Sequence, residues 1–352
     1  MRLSEFDYDL PQELIAQEPA RQRQGSRMLI VDRPTGSFRD SVFTEFPDLL
    51  KSDDVLVLNN TKVFPARLVG RREPGSGRVE MFLVHRCDSE DPKDQLWEVL
   101  VKPGRSFRTG SRASFGEIIF AEVIAHLPSG RRIVRFEYEG EFDAAVDSVG
   151  LTPLPPYIKR EFESRRDDDQ QRYQTIYSKE RGAIAAPTAG LHFTAEILKA
   201  IRERGIRIVE ITHHVGYGTF QPVRVDEIED HHVESETYTI SAEVADLLTA
   251  AKRAGNRIIA TGTTTTRSLE SAIDSSGVFH SGKHSTELFI YPGYSFKAID
   301  CLLTNFHLPQ SSLLMLVSAL AGHKLIMTAY QHAVGQRYRF YSYGDCMFIR
   351  TS

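Results

Sequence analysis

Apolar and polar positions along the chain fall into two textures. Over residues 63–150 the runs ARLVG, RVEMFLVH, LWEVLVK, GSRASF, IIFAEVIAHL and RRIVRFEYEG alternate apolar with polar side chains, and Gly, Pro and charged residues separate them. Alternation at period two marks a half-buried strand, and six such runs at this spacing predict a small antiparallel barrel. Outside this stretch the spacing becomes helical, or apolar throughout. VLVLNN (55–60) and RIIA (257–260) read as buried strands. Ile197, Leu198 and Ile201 share one helix face, and Val244, Leu247, Leu248 and Ala251 share another. Thr194 and Ser241 are the expected caps, and Gly205 and Gly255 the stops. Further strands are expected at 28–31, 206–211, 287–291 and 301–303, with an apolar helix at SLLMLVSALAG. The predicted fold class is α/β: a mixed sheet domain with helices, formed by residues 1–62 and 151–352, interrupted by an inserted six-stranded antiparallel β-barrel at 63–150.

Polar chemistry concentrates between Ala185 and Glu236, at the edges of the helix beginning at Thr194 and the strand that follows it. Five of the twelve histidines lie here (His192, His213, His214, His231, His232), with Thr188, Tyr217, Thr219, Glu234 and Glu236. Gly216 and Gly218 let the backbone after the strand approach a ligand closely. Three strands in succession end in polar loops, THHVGYGTF (212–220), TGTTTTR (261–267) and TNFHLP (304–309), so a site is expected along one edge of the sheet. Amides at the start of the helix TTTTRSLES, with Arg267, could hold a carboxylate.

Composition narrows the classes. A net charge of −4 and a pI near 6.3 give no overall basic excess, so any nucleic-acid contact must be a local patch. Arg67, Arg71, Arg72, Arg78, Lys102, Arg105, Arg108 and Arg112 could edge a phosphate groove on the barrel, or form its polar outer face. Three widely spaced cysteines without CxxC argue against a disulfide framework or zinc ribbon and for a reducing cytosol. No apolar run approaches a membrane span, and MRLSEFDYDLP is too acidic for a signal peptide, so a cytoplasmic protein is expected. There is no Walker A sequence, and in GYGTF a proline follows where a Rossmann helix would begin, which argues against polyphosphate and dinucleotide ligands. The histidines fit no common metal spacing, so none is assigned to a metal.

At AAPTAGLHFT, HVGYGTFQPV, GTTTTRSLES, TNFHLP and YRFYSYGD, the chain closely resembles the S-adenosylmethionine:tRNA ribosyltransferase-isomerase family of queuosine biosynthesis. The likeness runs from DYDLPQELIAQEPA through NNTKVFPARLVG, TPLPPYI and RYQTIYS to the final residues. It implies an enzyme that uses S-adenosylmethionine as ribosyl donor; with no recognisable ligand spacing and a donor already activated by its sulfonium, no metal is expected. The partner implied is tRNA carrying 7-aminomethyl-7-deazaguanine at the wobble position, and the products are epoxyqueuosine, adenine and methionine. A monomer with no membrane partner is expected.

Three positions depart from the family pattern. Asn60 stands where NDTKV is common, His213 precedes the family histidine His214, and Glu234 occupies the usual place of a second histidine in HxMHxE.

The candidate catalytic residues are His214, His192, His231 and Glu236, with His214 preferred for proton transfer and Glu236 able to orient its ring if the two segments meet. Candidate S-adenosylmethionine-binding residues are Thr188, Gly216, Gly218, Thr263, Thr264, Arg267, Asn305 and His307. Tyr217, Phe220, Tyr341 and Tyr343 are available to stack an extruded base, and Lys102, Arg105, Arg108, Lys159 and Arg160 to meet RNA phosphates. Two rival classes are a metal-dependent hydrolase built on the histidines, marked by stoichiometric metal, and a catalytically silent tRNA-binding protein, marked by binding without adenine release.

Overall fold

The computed structural model describes residues 1–91, 94–160, 166–220 and 222–351. The chain divides into two compact units, one made of Met1–Lys62, Pro156–Arg160 and Gln174–Ser352, the other of Val63–Pro155 and Glu161–Tyr173. In chain order the strands begin with β1 (Arg27–Asp32), β2 (Ser37–Val42), β3 (Val55–Asn59) and β4 (Thr61–Val63). Next come β5 (Arg67–Glu73), β6 (Arg78–Arg86), β7 (Gln95–Lys102), β8 (Arg112–Phe115), β9 (Ile119–His126) and β10 (Arg132–Tyr138), then helices α1 (Phe142–Val149) and α2 (Arg166–Arg172). The remainder is β11 (Glu180–Ala183), α3 (Ala195–Glu203), β12 (Arg207–His213), β13 (Glu236–Ile240), α4 (Ala242–Arg253), β14 (Ile258–Thr261) and α5 (Thr263–Ala272). It closes with β15 (Gly282–Thr286), β16 (Cys301–Asn305), α6 (Ser312–Ala321), α7 (His323–Gly335) and β17 (Cys346–Arg350).

Nine strands of the first unit form one mixed sheet in the order β15-β13-β12-β3-β14-β16-β17-β1-β2. β12, β3, β14 and β16 run parallel as neighbours, so their C-terminal ends share one edge. β17 is antiparallel to β16 and β1 is parallel to β17, which brings the starts of those two strands to the same edge. Each central strand feeds two cores by simple alternation. Val55 and Val57 of β3, with Leu29 and Val31 of β1, pack with the side chains of α4 to α7. Leu56 and Leu58, with Met28 and Ile30, pack against α3. Burial on both faces explains why these strands read as continuous apolar runs, each side chain contributing roughly 1.5–3 kcal/mol when fully removed from water.

The expected caps are present. Thr194 Oγ1 accepts the Ile197 amide at 3.3 Å, Ser241 Oγ the Val244 amide at 3.2 Å, and Gly205 turns the chain after α3 at φ +81°. In the second unit the six alternating runs close as β10-β7-β6-β5-β8-β9. Leu68, Val79, Met81, Leu83, Val99, Phe115, Val123 and Val134 fill the barrel, and closure leaves no edge strand.

Several elements lie outside the sequence-based expectation, among them β2, β11, β13, β17 and α2; two further differences have a clear physical reason. Residues 287–291 are not a strand; the strand lies one segment earlier, at β15. The Leu288 carbonyl accepts from Arg267 Nε at 2.9 Å and its amide donates to Thr286 Oγ1 at 3.1 Å, so side chains take the groups a ladder would use. The hydrophobic pattern does not anticipate α7: Gly322, at φ +97°, bends the chain 117° after α6 and a second helix starts at once. No single helix among the described residues is long and apolar enough to cross a membrane.

Candidate active site

Period-two alternation at the end of β12 sends the adjacent histidines to opposite faces. His213 is fully buried, its Nδ1 2.7 Å from Ser268 Oγ on α5 and its Nε2 3.0 Å from Glu236 Oε2 at the start of β13. Glu236 also accepts the Gly216 amide at 2.7 Å, Thr219 Oγ1 at 3.4 Å and a hydrogen bond from Arg267 Nη1. Burial alone would push the Glu236 carboxyl up. The charges of His213 and Arg267 and the Gly216 amide outweigh it and hold the group at about 2. Asn59, at the end of β3, locks the arrangement from below. Its Oδ1 accepts the amides of His213 at 2.9 Å and Thr61 at 3.1 Å, while its Nδ2 donates to the His213 carbonyl at 3.0 Å.

His214 is half-buried on the other face. Its Nδ1 lies 2.8 Å from Thr61 Oγ1, which is itself 3.4 Å from the Glu180 carbonyl. When the Thr61 hydroxyl donates to that carbonyl, His214 donates through Nδ1 and its Nε2 keeps a lone pair; when the hydroxyl donates to Nδ1, the proton lies on Nε2. Burial, then the proximity of His213 and Lys283, lowers its pKa below the ordinary histidine value, against a smaller opposing effect of Glu180. The ring is therefore neutral at pH 7 and able to accept a proton. Glu236 does not orient it, contrary to expectation. Thr61 holds that position, because Glu236 reaches β12 from the His213 side.

Along the same edge, His192 Nδ1 is 3.0 Å from Ser26 Oγ, and Asn305 Nδ2 is 3.3 Å from His192 Nε2. Burial and then the nearby charges of Arg23 and Arg339 bring His192 down to about 4. The Asn305 amide also donates to the Tyr341 carbonyl at 3.1 Å. Tyr341 is held in the left-handed region at φ +71° and stacks on Tyr157 at 4.3 Å.

His307 is buried: its Nε2 meets Thr304 Oγ1 at 2.9 Å, and burial brings its pKa to about 3. Thr188 begins a short turn, Thr188–His192, that lies beside the start of α5, where a β-carbon on Gly262 would stand 3.8 Å from that of Ala189. Thr263 and Thr264, both more than nine-tenths buried, form the first turn of α5.

A cleft in the first unit is lined by Gly218, Thr219, His231, Glu234, Glu236 and Arg267 together with the apolar Leu288, Phe289, Ile290, Leu313 and Leu316. The structure thus joins Gly218, His231, Glu236 and Arg267, with Gly216 tied in through Glu236, and separately joins His192 with Asn305. Arg267 is already committed to Glu236 and Leu288. Glu234 is exposed and precedes β13, so it forms no strand pair with Glu236. Tyr341 and Tyr343 are buried, Tyr217 is half-buried, and the Phe220 side chain lies outside the described residues. Among the described residues no three His, Cys, Asp or Glu side chains are grouped as a metal would need. Sequence reasoning passes over Asn59, Thr61, Ser268 and Phe289. The NNT string at a strand end and a serine one turn after Thr264 are the signals that could have found the first three.

An α/β sheet with its polar groups gathered at one strand edge, interrupted by a closed antiparallel barrel, defines a two-unit enzyme-like architecture. The profile of the family described as queuosine biosynthesis protein matches residues 3–349, and the chain belongs to that family. It is similar to the S-adenosylmethionine:tRNA ribosyltransferase-isomerase of Symbiobacterium thermophilum, 49% identical over 99% of this chain and 100% of that protein. The protein of the same name from Natranaerobius thermophilus is 48% identical over 100% of both. The crystal structure of S-adenosylmethionine tRNA ribosyltransferase from Thermotoga maritima covers 98% of this chain and 100% of its own, at 34% identity and a TM-score of 0.54.

Proposed function

We propose that the chain is an S-adenosylmethionine:tRNA ribosyltransferase-isomerase. It moves the ribosyl moiety of S-adenosylmethionine onto 7-aminomethyl-7-deazaguanine at the tRNA wobble position, gives epoxyqueuosine, and releases adenine and methionine. The observation that carries this reading is near-half identity to relatives of that name over the full length of both chains.

The sheet edge supports a division of labour. The sulfonium acidifies the neighbouring ribose C5′–H, and His214, neutral and positioned by Thr61, takes that proton through Nε2. The amides of the first turn of α5, beside the Thr263 and Thr264 side chains, receive the methionine carboxylate with the favourable end of the helix dipole. Glu236 acts as a carboxylate anchor that holds the Gly216 amide and Arg267 rather than as an acid. In the cleft, Phe289 packs edge-on to His231 at 5.0 Å and offers an aromatic wall to a flat base. Lys102, Arg105, Arg108 and Lys159 are exposed cations for RNA phosphates, whereas Arg160 is drawn to the Gln17 carbonyl at 2.9 Å. The protein works in the cytoplasm as a monomer, and the chemistry needs no metal because the sulfonium already activates the donor.

Purified protein incubated with S-adenosylmethionine and precursor-bearing tRNA should release adenine in step with the modified nucleoside, and release should stop when either substrate is omitted. Binding of tRNA without adenine release would favour a silent RNA-binding protein. Activity lost to a chelator and restored by zinc or magnesium, with the tRNA fold controlled, would favour metal-dependent chemistry.

A further inference from the structure

On the barrel, the registry of β5, β6 and β7 produces an arrangement that folding alone does not favour. Leu68, Val79, Met81 and Leu83 point inward, fully buried, so their strand neighbours Arg67, Val69 and Arg71 on β5 and Arg78, Glu80 and Phe82 on β6 face outward. Arg71 lies directly opposite Arg78, Val69 opposite Glu80, and Arg67 opposite Phe82. β7 continues the rows, with Lys102 opposite Glu80 and Leu100 opposite Phe82.

Three successive rows therefore carry four cations and one carboxylate, in a chain whose net charge is −4. Glu80 is engaged by Arg67, at 2.8 Å and 3.0 Å, and is also attracted by Lys102 and Arg78, so one carboxylate is shared among three of the four cations. Like charges directly opposite each other destabilise a strand pair, and the Arg71–Arg78 row, exposed on both strands, has that form. Half-buried Phe82 and Leu100 share the row of Arg67 and give that end of the face a partly apolar floor.

We propose that the outer face of β5–β6–β7 is an RNA-docking surface, on which Arg71, Arg78 and Lys102 straddle backbone phosphates of the tRNA substrate. A polyanion seated there relieves the like-charge row and complements a face that is cationic on an otherwise acidic protein. The charge pattern suits a phosphate backbone rather than base edges, so docking is expected outside the wobble loop and independent of its sequence. This inference rests on the tRNA reading above and names where that substrate is held.

The test is tRNA affinity across a salt series for the full-length protein, with adenine release measured in parallel. Arg78→Glu reverses one charge of this face, so it should weaken tRNA binding about tenfold or more while the protein keeps a cooperative melting transition. Arg71→Gln/Arg78→Gln, which carries no new charge, should weaken binding in the same direction. In each case the slope of log affinity against log salt should fall by roughly 0.7–0.9 for each phosphate that the variant no longer neutralises. Arg253→Glu, an equal charge reversal on α4, should change neither affinity nor slope beyond its effect on net charge.

S-adenosylmethionine affinity should be unchanged, and adenine release supported by a short anticodon stem-loop should keep its KM while that for full-length tRNA rises. Unchanged tRNA affinity and slope in both barrel variants would overturn the docking surface even if adenine release is normal. Patch-dependent tRNA binding by a wild-type chain that never releases adenine would keep the surface and sink the transferase reading.

Discussion

Replacing Glu236 with Gln keeps the side chain's shape and removes its charge from beneath Arg267, His213 and the Gly216 amide. The carboxyl sits at about 2 in the folded protein against an ordinary 4.5, a difference of roughly 2.5 pH units. At about 1.36 kcal/mol per unit this corresponds to about 3 kcal/mol of stability at neutral pH. That agrees with the ~3–5 kcal/mol typical of breaking a buried ion pair by removing one partner. Since Glu236 is 5% exposed, little of this is screened by solvent.

The sign follows from the depressed value: the contribution is complete above the unfolded pKa near 4.5 and fades as pH falls through about 2. Thermal unfolding of Glu236→Gln at pH 7 should therefore show a melting temperature lower by about 6–12 °C. Denaturant titrations of both proteins should give a stability difference that narrows steadily as pH falls from about 4.5 towards 2. Other carboxylates cancel in that difference, so the narrowing belongs to this one. A melting temperature within 2 °C of wild type, or a difference that does not shrink between pH 4.5 and 2, would refute the anchor role.

Three further expectations follow from the same geometry. His214→Ala should lower turnover about 100- to 10,000-fold with little change in S-adenosylmethionine affinity, and wild-type activity should fall as pH drops through a value below 6.5; near-normal turnover would move the base to His192 or His231. His213→Ala should cost about 3 kcal/mol by emptying a fully buried site and stripping Glu236 of a partner, and combined with Glu236→Gln it should cost clearly less than the sum; additive melting shifts would mean the two do not act as a unit. Asn60→Asp sets a second carboxylate where Asn60 Nδ2 now donates to Glu210 at 3.3 Å, with Lys179 only partly compensating at 2.6 Å. It should lower stability by about 1 kcal/mol in low salt and by less in high salt, and a salt-independent loss would point to the missing hydrogen bond instead.

The chain's local grammar determined a great deal. Six period-two runs read as half-buried strands, and their number and spacing pointed to a small antiparallel barrel, which the structure closes. Thr194, Ser241, Gly205 and Gly255 delimit α3 and α4 through interactions spanning at most four residues, so each was readable without knowing its surroundings. The common edge of β12, β14 and β16 was also legible, because polar loops recur after each strand. Tertiary structure alone decided what those loops do to one another. β12 is covered on both faces, so alternation separates His213 from His214 without saying which meets Glu236; that depends on β13 lying beside it and α5 lying above it. Arg267 reads as an open anion site in sequence, yet a buried cation must find a partner, and the fold supplies Glu236 from 31 residues away. Thr61 and Asn59 acquired their places from strand order, in which β3 runs between β12 and β14, and the opposition of Arg71 to Arg78 came from hairpin register. Side-chain periodicity is a property of the backbone next door, whereas charge pairing in a buried site depends on which distant strands become neighbours.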